Sequence, residues 1–378
     1  MKLFRIGVSQ VNSLGGESEP LYIEATHKGD WRRIEGAGTQ TFLQSKTVDS
    51  SFIPIDALID ANDNLVVMFF ESGAKDNTTN YIRTESFQAR PASCTAIDHV
   101  DETLPQGGKC FETSDGNIHF LYQKYDVVKY SSRNDADVEI ESPADLYEHP
   151  EGIGGSCFAA AGITNTQYLF IRSGSTSTGD PPVFSHTMAF ESVNMPTTVV
   201  ETQTIGTFPF PPEYDPSDTV IRGLDCVYNS DGTVDVVATT SSADILYFKW
   251  DFLNAYFRIH PIKIGSISIR TGQSAVAVFD CMAVSIHKDS DGVMLVSYFD
   301  VQTREFGMIR FTEIDDEFIS IDNEEKITSF PRTQPFCYGF LFDEGRNKLL
   351  TLSRNIIDVT TGEDKIDIHL ASLTNHQK

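Results

Sequence analysis

The chain has 378 residues, of which 29 are basic and 54 acidic, so its formal net charge is −25. A charge of this sign repels nucleic acid and anionic membranes, and it argues against both as partners. The sequence has 26 phenylalanines and 13 tyrosines but few stretches of helical periodicity, which favours an all-β protein.

The N-terminal segment MKLFRIGVSQVNS lacks the apolar core of about 7 residues that an export signal needs. We therefore predict that the chain is made in the cytoplasm without a signal peptide. The run NLVVMFF (64–70) is among the longest apolar stretches and is far shorter than the roughly 18 residues of a membrane-spanning helix. No membrane insertion is predicted.

A hairpin pattern recurs along the chain after residue 50. Each copy starts with a small residue and a short strand, continues through a polar turn rich in Asp, Asn or Gly, and ends in a longer strand. Five of the six first residues are cysteines, which indicates a small, buried and weakly polar position rather than a redox or metal site. The six copies begin at Ala57, Cys110, Cys157, Cys226, Cys281 and Cys337.

Two further strands belong to each copy. A third strand follows each hairpin, as in YIRTESF (81–87) and ILYFKWDF (245–252), and a short strand precedes each later copy, as in CTAIDHV (94–100). Four antiparallel strands repeated about every 55 residues are typical of a β-propeller, in which every blade packs between two neighbours. We predict one propeller domain over residues 1–378 with six blades, seven being the alternative.

Residues 1–50 contain one more hairpin, LFRIGVSQ followed by LYIEATH. We expect this segment to close the ring against the C-terminal blade, or else to form a partial seventh blade.

Two insertions interrupt the repeat. The segment SSRNDADVEIESPADLYEHPEG (131–152) is interpreted as an insertion with a short helical turn at PADLYEH. The segment GTFPFPPEYDPSD (206–218) contains prolines that forbid regular ladder pairing, so we expect a loop that projects from one face. Its aromatic residues offer apolar area at low ordering cost and are the predicted binding residues: Phe208, Phe210 and Tyr214.

Several turns carry acidic residues in a calcium-like rhythm. The pattern Asn229-x-Asp231-Gly232-x-x-Asp235 resembles half of a calcium loop, but calcium needs six to eight oxygens and the remaining positions are unsuitable. An Asp-Gly pair between two strands is also the ordinary hairpin signal. Plain turns are therefore the preferred interpretation, and no metal or cofactor is predicted.

One segment resembles a known family. SSFIPIDALIDANDNLVVMFFESGAKDNTTNYIRTESF (50–87) is similar to the opening blade of the sialidase-like propellers, whose repeats are called BNR or Asp-box repeats. The resemblance implies a propeller fold and places Asp76 at the position of the family's catalytic acid. Phe52-Ile53-Pro54 stands where the family has Arg-Ile-Pro, so the arginine is replaced by an apolar side chain that cannot pair with an anionic sugar.

No nucleophile, zinc or phosphate-binding motif occurs in the sequence. The histidines, including His119 and His369, are interpreted as packing or surface residues, and core packing is favoured for Trp31 and Trp250 over stacking on a sugar. We therefore predict no catalytic residues and a binding or structural role, in a large assembly such as a phage virion or tail, with protein subunits as partners. The alternatives are a glycan-binding module and a diverged glycoside hydrolase of sialidase-like type.

Overall fold

The structure is a computed structural model in which side chains are described within residues 55–321. In the described part of the chain all regular elements are β-strands, and no helix there could cross a membrane. The backbone is described for residues 5–8, 21–25, 31–44, 51–62, 64–72, 77–85, 95–100, 107–124, 127–148, 157–178, 183–195, 197–214, 219–267, 284–289, 291–300, 305–314, 319–327, 336–343, 348–358 and 363–376.

Five four-stranded antiparallel sheets follow one another along the chain, and we number them as blades 1 to 5. Blade 1 consists of β4 (Ser51–Ile59), β5 (Asn64–Ser72), β6 (Asn77–Glu85) and β7 (Thr95–Val100). Blade 2 consists of β8 (Gly108–Glu112), β9 (Ile118–Lys124), β10 (Val127–Arg133) and β11 (Glu139–Glu148). Blade 3 consists of β12 (Phe158–Thr164), β13 (Gln167–Thr178), β14 (Val183–Asn194) and β15 (Thr198–Ile205).

The next two sheets repeat this order. Blade 4 consists of β16 (Ile221–Tyr228), β17 (Thr233–Thr240), β18 (Asp244–Asp251) and β19 (Tyr256–Ser266). Blade 5 consists of β20 (Val284–Lys288), β21 (Met294–Asp300), β22 (Glu305–Glu313) and β23 (Ile319–Ile327).

The sixth sheet joins the two ends of the chain. Its C-terminal strands are β24 (Phe336–Asp343), β25 (Lys348–Asp358) and β26 (Glu363–His376), and its N-terminal strands are β1 (Arg5–Val8), β2 (Leu21–Ala25) and β3 (Trp31–Gln44). Strand β3 pairs with β26, and the order across the sheet is β1-β2-β3-β26-β25-β24. The N-terminal segment therefore supplies the fourth strand of blade 6.

The first strands of the six blades contact one another in a closed cycle. Strand β4 contacts β8, and contacts continue through β12, β16 and β20 to β24, which contacts β4. A cycle of first strands surrounds a central channel, and the other strands radiate outward. The predicted six-bladed, all-β propeller is thus confirmed.

The apolar core is divided into layers between blades. Blades 3 and 4 share a layer that includes Leu169, Phe190 and Val236, and blades 4 and 5 share another that includes Tyr247 and Val296. Strand β17 is buried along its whole length because a blade covers each of its faces, whereas the outermost strand β15 is mostly exposed. This arrangement explains why the second strands read as nearly continuous apolar runs.

The small residues that mark the repeat are equivalent in only part of the ring. Ala57, Cys110 and Cys226 occupy the same register position, opposite Val67, Phe120 and Val236 respectively. The position is filled by Ala160 in blade 3 and by Ile286 in blade 5. The expectation that Cys157 is equivalent to Cys110 is therefore wrong, because Cys157 directly precedes β12. Cys281 lies outside the described residues.

The cysteines nevertheless behave as packing residues. Cys110 and Cys226 are buried, Cys157 is half-buried, and none of the three forms a disulfide. Burial is the main cause that raises the pKa of each thiol, to about 12 for Cys157. All three are therefore protonated at neutral pH, as a packing role requires.

The predicted insertion at 131–152 is wrong in its local structure. Residues 143–148 (PADLYE) of the predicted helical turn belong to β11, the outermost strand of blade 2. Pro143 is tolerated there because it falls at a register shift opposite β10 and on an edge strand, where its missing N–H breaks no ladder bond.

Candidate functional site

The antiparallel topology gives the propeller two unlike faces. Turns from first to second strand and from third to fourth strand lie on one face, which we call the hairpin face. Turns from second to third strand and the connections between blades lie on the opposite face, the crossover face. The connection between blades 3 and 4, which contains the predicted binding residues, belongs to the crossover face.

The aromatic residues of this connection fold back onto the blades. Phe208 is only 1% exposed and packs within the layer between blades 3 and 4, while Phe210 and Tyr214 are half-buried against the same layer. The backbone N–H of Phe208 donates to the carbonyl of His186 at 2.9 Å, and the Tyr214 hydroxyl donates to Asp244 Oδ2 at 2.8 Å.

The expectation that this loop projects from the propeller is therefore wrong for its described residues. Aromatic side chains next to an apolar layer gain more by burial than by exposure, and the prolines fix the turn that brings them there. Phe208 cannot reach a partner in this conformation. Partner binding by the half-buried Phe210 and Tyr214 stays a prediction.

Three charged side chains from different blades meet in the central channel: Asp56 in β4, Lys109 in β8 and Asp225 in β16. Lys109 Nζ lies 3.0 Å from Asp225 Oδ1. Because β8 and β16 belong to blades that are not neighbours, this ion pair crosses the channel. The pair connects blades 2 and 4 directly.

Both aspartates also join neighbouring first strands. Asp56 Oδ2 accepts the N–H of Cys110 at 2.8 Å, and Asp225 Oδ2 accepts the N–H of Ile286 at 2.9 Å. Burial raises the pKa of Asp56, although Lys109 acts in the opposite direction. Burial by itself lowers the pKa of Lys109, but Asp225 and Asp56 outweigh it, so the pKa of Lys109 is raised and the ammonium stays charged. These carboxylates hold the ring together through backbone and lysine contacts.

The calcium-like loop of blade 4 leads into a buried polar network between blades 4 and 5. Asp235 is 0% exposed; it accepts hydrogen bonds from the Tyr247 hydroxyl at 2.7 Å and from Asn229 Nδ2 at 2.7 Å. Two ammonium groups also approach its carboxylate, Lys288 Nζ at 3.3 Å and Lys249 Nζ at 3.7 Å. The cationic partners of Asp235 are thus lysines supplied by the protein.

The other acidic turns use their oxygens locally. Asp60 Oδ1 accepts the N–H groups of Asn62 and Asn64, and Asp289 Oδ1 accepts those of Asp291 and Val293. No cluster of three or more potential metal ligands occurs among the described side chains. The three Asp-Gly turns have the expected positive φ at glycine, namely Gly116 (81°), Gly232 (83°) and Gly292 (80°).

A partly exposed arginine lies in the cleft between blades 2 and 3. The Arg172 guanidinium stacks on the Tyr147 ring, with Cζ 4.2 Å from the ring centroid, and Nη1 donates to the Tyr147 hydroxyl at 3.0 Å. Nε and Nη2 both donate to Glu191 Oε1, at 3.1 and 2.9 Å. We call this site, formed by Tyr147, Arg172 and Glu191, the Arg172 cleft.

The Arg172 cleft combines a rigid polar group with an aromatic surface. The Glu191 side chain is 6% exposed and that of Arg172 is 26% exposed, so a buried carboxylate orients a guanidinium that solvent reaches. The contacts described use three of the five N–H donors of the guanidinium. Two donors therefore remain for a ligand.

The repeat shows why this cleft differs from its neighbours. Tyr122, Arg172, Ala238 and Tyr298 occupy the same position of successive second strands, opposite Gly108, Phe158, Leu224 and Val284. Tyr122 donates to Asp98 Oδ2 at 3.0 Å, and Ala238 lies within an apolar layer. Among the four clefts with described side chains, the position carries an arginine only between blades 2 and 3.

Two other sequence interpretations are confirmed. His119 is buried between the Thr113 and Tyr130 hydroxyls, at 3.0 and 2.8 Å, and burial lowers its pKa to about 4. Trp250 stacks on Phe190 with 5.2 Å between ring centroids. Both are packing residues. Asp76 lies outside the described residues, as do the side chains of Ile53, Trp31 and His369.

No family model matches this chain, and no curated protein does. Solved structures do match it. A protein of unknown function from Dyadobacter fermentans DSM 18053 aligns with a TM-score of 0.57 at 10% identity, over 90% of this chain and 99% of that one.

Two sugar-bound structures also match. SapL1 lectin in complex with alpha methyl fucoside has a TM-score of 0.50 at 12% identity, over 88% of this chain and 98% of that one. Alpha-L-arabinanase from Penicillium chrysogenum, complexed with arabinobiose, has a TM-score of 0.50 at 9% identity over the same shares. At this identity the likeness establishes the propeller fold alone.

Sequence reasoning missed the Arg172 cleft because its residues come from three strands of two blades. One signal was present. Arg172 and Glu191 each follow an apolar stretch of a second or third strand, and such charges are rarely buried without a partner. The sequence does not reveal that they are partners, because that depends on the register of β13 against β14.

Proposed function

We propose that this protein is a non-catalytic carbohydrate-binding propeller whose sugar site is the Arg172 cleft. The observation that carries the proposal is the partly exposed Arg172 guanidinium, held flat on Tyr147 by the buried carboxylate of Glu191. Glycan binding was one of the functions that the sequence suggested, and the proposal assigns it to the side chains of Tyr147, Arg172 and Glu191.

The chemistry of the cleft suits a sugar. The two remaining N–H donors, one on each terminal nitrogen, can donate to neighbouring sugar hydroxyls, and the part of the Tyr147 ring that Arg172 leaves uncovered offers apolar contact to pyranose C–H groups. The positive charge of Arg172 is balanced by Glu191 at 2.9 Å, which favours a neutral sugar over an acidic one. Two proteins with this fold, SapL1 lectin and the Penicillium arabinanase, hold a fucoside and arabinobiose respectively.

The absence of catalysis is the second half of the proposal. Glycoside hydrolysis uses two carboxylates across the scissile bond, one of them able to exchange a proton with the sugar. In the channel, Asp56 and Asp225 accept backbone N–H groups, and Asp225 also pairs with Lys109. Both oxygens of Asp225 and one oxygen of Asp56 are thus engaged in holding blades together.

We expect binding without turnover. The test is a glycan array with the labelled full-length protein, followed by incubation with sialosides, neutral aryl glycosides and arabino-oligosaccharides. The expected result is binding of neutral glycans and product formation no higher than in buffer. Absence of any neutral glycan signal would contradict the binding site, and turnover would contradict the non-catalytic assignment.

A role in a large assembly is the second candidate function. The outermost strand β15 exposes Val199 by 42% and Val200 by 55%, and an exposed edge strand with apolar side chains is a usual place for a protein subunit to dock. In that role the chain, made in the cytoplasm, would become part of a particle such as a phage virion or tail. Val200→Lys should then reduce co-purification of partner subunits, and unchanged co-purification would argue against this surface.

A further inference from the structure

An arginine at the mouth of the central channel has no ion pair among the described residues, whereas three other described arginines do. Arg222 is the extra residue of a β-bulge in β16, between Ile221, which pairs with Thr240, and Gly223, which pairs with Thr239. Strand β16 enters from the crossover face, so the bulge lies at that end of the channel. A bulge aims a side chain away from the regular alternation of the strand, and bulges of this kind often occur at binding sites.

The guanidinium of Arg222 has no partner among the described residues. Three other arginines with described contacts are paired with a carboxylate: Arg133 with Glu139 at 2.8 Å, Arg172 with Glu191 at 2.9 Å, and Arg258 with Asp251 at 3.0 Å. Arg222 Nε, in contrast, is buried and makes no hydrogen bond in the described structure, as is also the case for Arg310 Nε in blade 5. An unpaired buried donor costs stability, and in a chain with 54 acidic residues it calls for a functional reason.

The described neighbours of Arg222 do not balance its charge. It lies close enough to His186 and Cys157 to affect both groups. Burial is the main cause that lowers the pKa of His186, and the positive charge of Arg222 lowers it further. This imidazole is therefore neutral at neutral pH. The Cys157 thiol is protonated and lies 3.0 Å from the Ser173 hydroxyl. The other nearby cation, Lys109, is already paired with Asp225 at 3.0 Å.

We propose that the crossover-face mouth of the channel is a binding site for a carboxylate-bearing ligand, with Arg222 as the residue that pairs with the carboxylate. The guanidinium presents parallel N–H donors that fit the two oxygens of a carboxylate. Because Arg222 has no carboxylate partner among the described residues, a monoanion would balance its charge. This site is separate from the Arg172 cleft, where the arginine already has its carboxylate.

The test observes Arg222 directly. In protein labelled with ¹⁵N-arginine, the Nε–Hε resonance that disappears in Arg222→Gln identifies this side chain. We expect sodium acetate and methyl α-galacturonoside to shift that resonance saturably, and the neutral methyl α-galactoside to leave it unchanged. In calorimetry, Arg222→Gln should weaken galacturonoside binding by about tenfold or more, as expected for loss of a charge-assisted pair.

Stability provides a second readout. Arg222→Met should raise the melting temperature of the ligand-free protein by about 1–3 °C, because it removes an unpaired buried donor. The matched control Arg258→Met should lower it, because Asp251 then loses its cationic partner. In the NMR experiment, the proposal is overturned if neither carboxylate shifts the Arg222 resonance or if the neutral galactoside shifts it equally. It is also overturned if inorganic phosphate binds more tightly than both carboxylates. In the stability experiment, a lower melting temperature of Arg222→Met would overturn it. None of these results depends on Arg172.

Discussion

Replacing Asp235 with alanine is expected to lower the free energy of unfolding by about 3–5 kcal/mol, because it removes one partner of a buried charge network. Lys288 and Lys249 lie 3.3 and 3.7 Å from its oxygens, and Tyr247 donates to it at 2.7 Å. Lys249 keeps Glu313 at 2.6 Å, but Lys288 loses its carboxylate. The network joins blades 4 and 5, so the loss should reduce the cooperativity of the ring as well as its stability.

Urea unfolding followed by circular dichroism measures this effect. The control is Asp291→Ala, which removes an exposed aspartate from the neighbouring blade's hairpin turn and should change stability by less than about 0.5 kcal/mol. Equal effects of the two substitutions would show that the buried network contributes little to the fold.

Gly307→Ala is expected to destabilise the protein by about 1–3 kcal/mol or more, through overpacking in blade 5. Gly307 in β22 pairs with Tyr298 in β21, and the Tyr298 ring lies over the glycine so closely that a Cβ would overlap with it. Tyr298 is fully buried, so its ring cannot move aside without displacing the layer between blades 4 and 5.

Gly206→Ala is the matched control, because a Cβ at Gly206 has no atom within 4 Å. Thermal unfolding of both variants should show a clear decrease only for Gly307→Ala. A Gly307→Ala protein as stable as the native one would mean that Tyr298 does not pack on the glycine. Since Tyr298 occupies the same repeat position as Arg172, this result also tests how the cleft between blades 4 and 5 is closed.

The fold could be predicted because each hairpin contains the sequence pattern of the repeat within a short stretch of residues. Turns such as Ser230-Asp231-Gly232, followed by a β-branched strand, specify a hairpin whatever lies around it. Six copies of such a unit have few ways to bury both sheet faces other than a ring. Equivalence between blades was less predictable. Cys157 resembles Cys110 in sequence, but only the pairing of β12 with β13 shows that Ala160 takes its place.

The site could not be predicted because it depends on contacts between blades. Phe208 was expected on the surface since prolines surround it, yet the adjoining apolar layer buries it. Tyr147 falls in a segment that the sequence assigned to an insertion, and only the pairing of β11 with β10 places it beside Arg172. Turn chemistry acts over a few residues, whereas these contacts depend on how one sheet packs on the next.

The most direct test of the central claim is calorimetric titration of the strongest neutral glycan from the array into the native protein, Arg172→Met and Arg258→Met. Arg258 is a suitable control because it also pairs with a buried carboxylate, that of Asp251 at 3.0 Å, and also lies near a tyrosine ring, with the Tyr256 centroid at 5.5 Å. These three residues belong to one hairpin of blade 4. We predict that Arg172→Met weakens binding by about tenfold or more while Arg258→Met leaves it unchanged. Native affinity in a folded Arg172→Met variant would contradict the proposal that the Arg172 cleft is the sugar site.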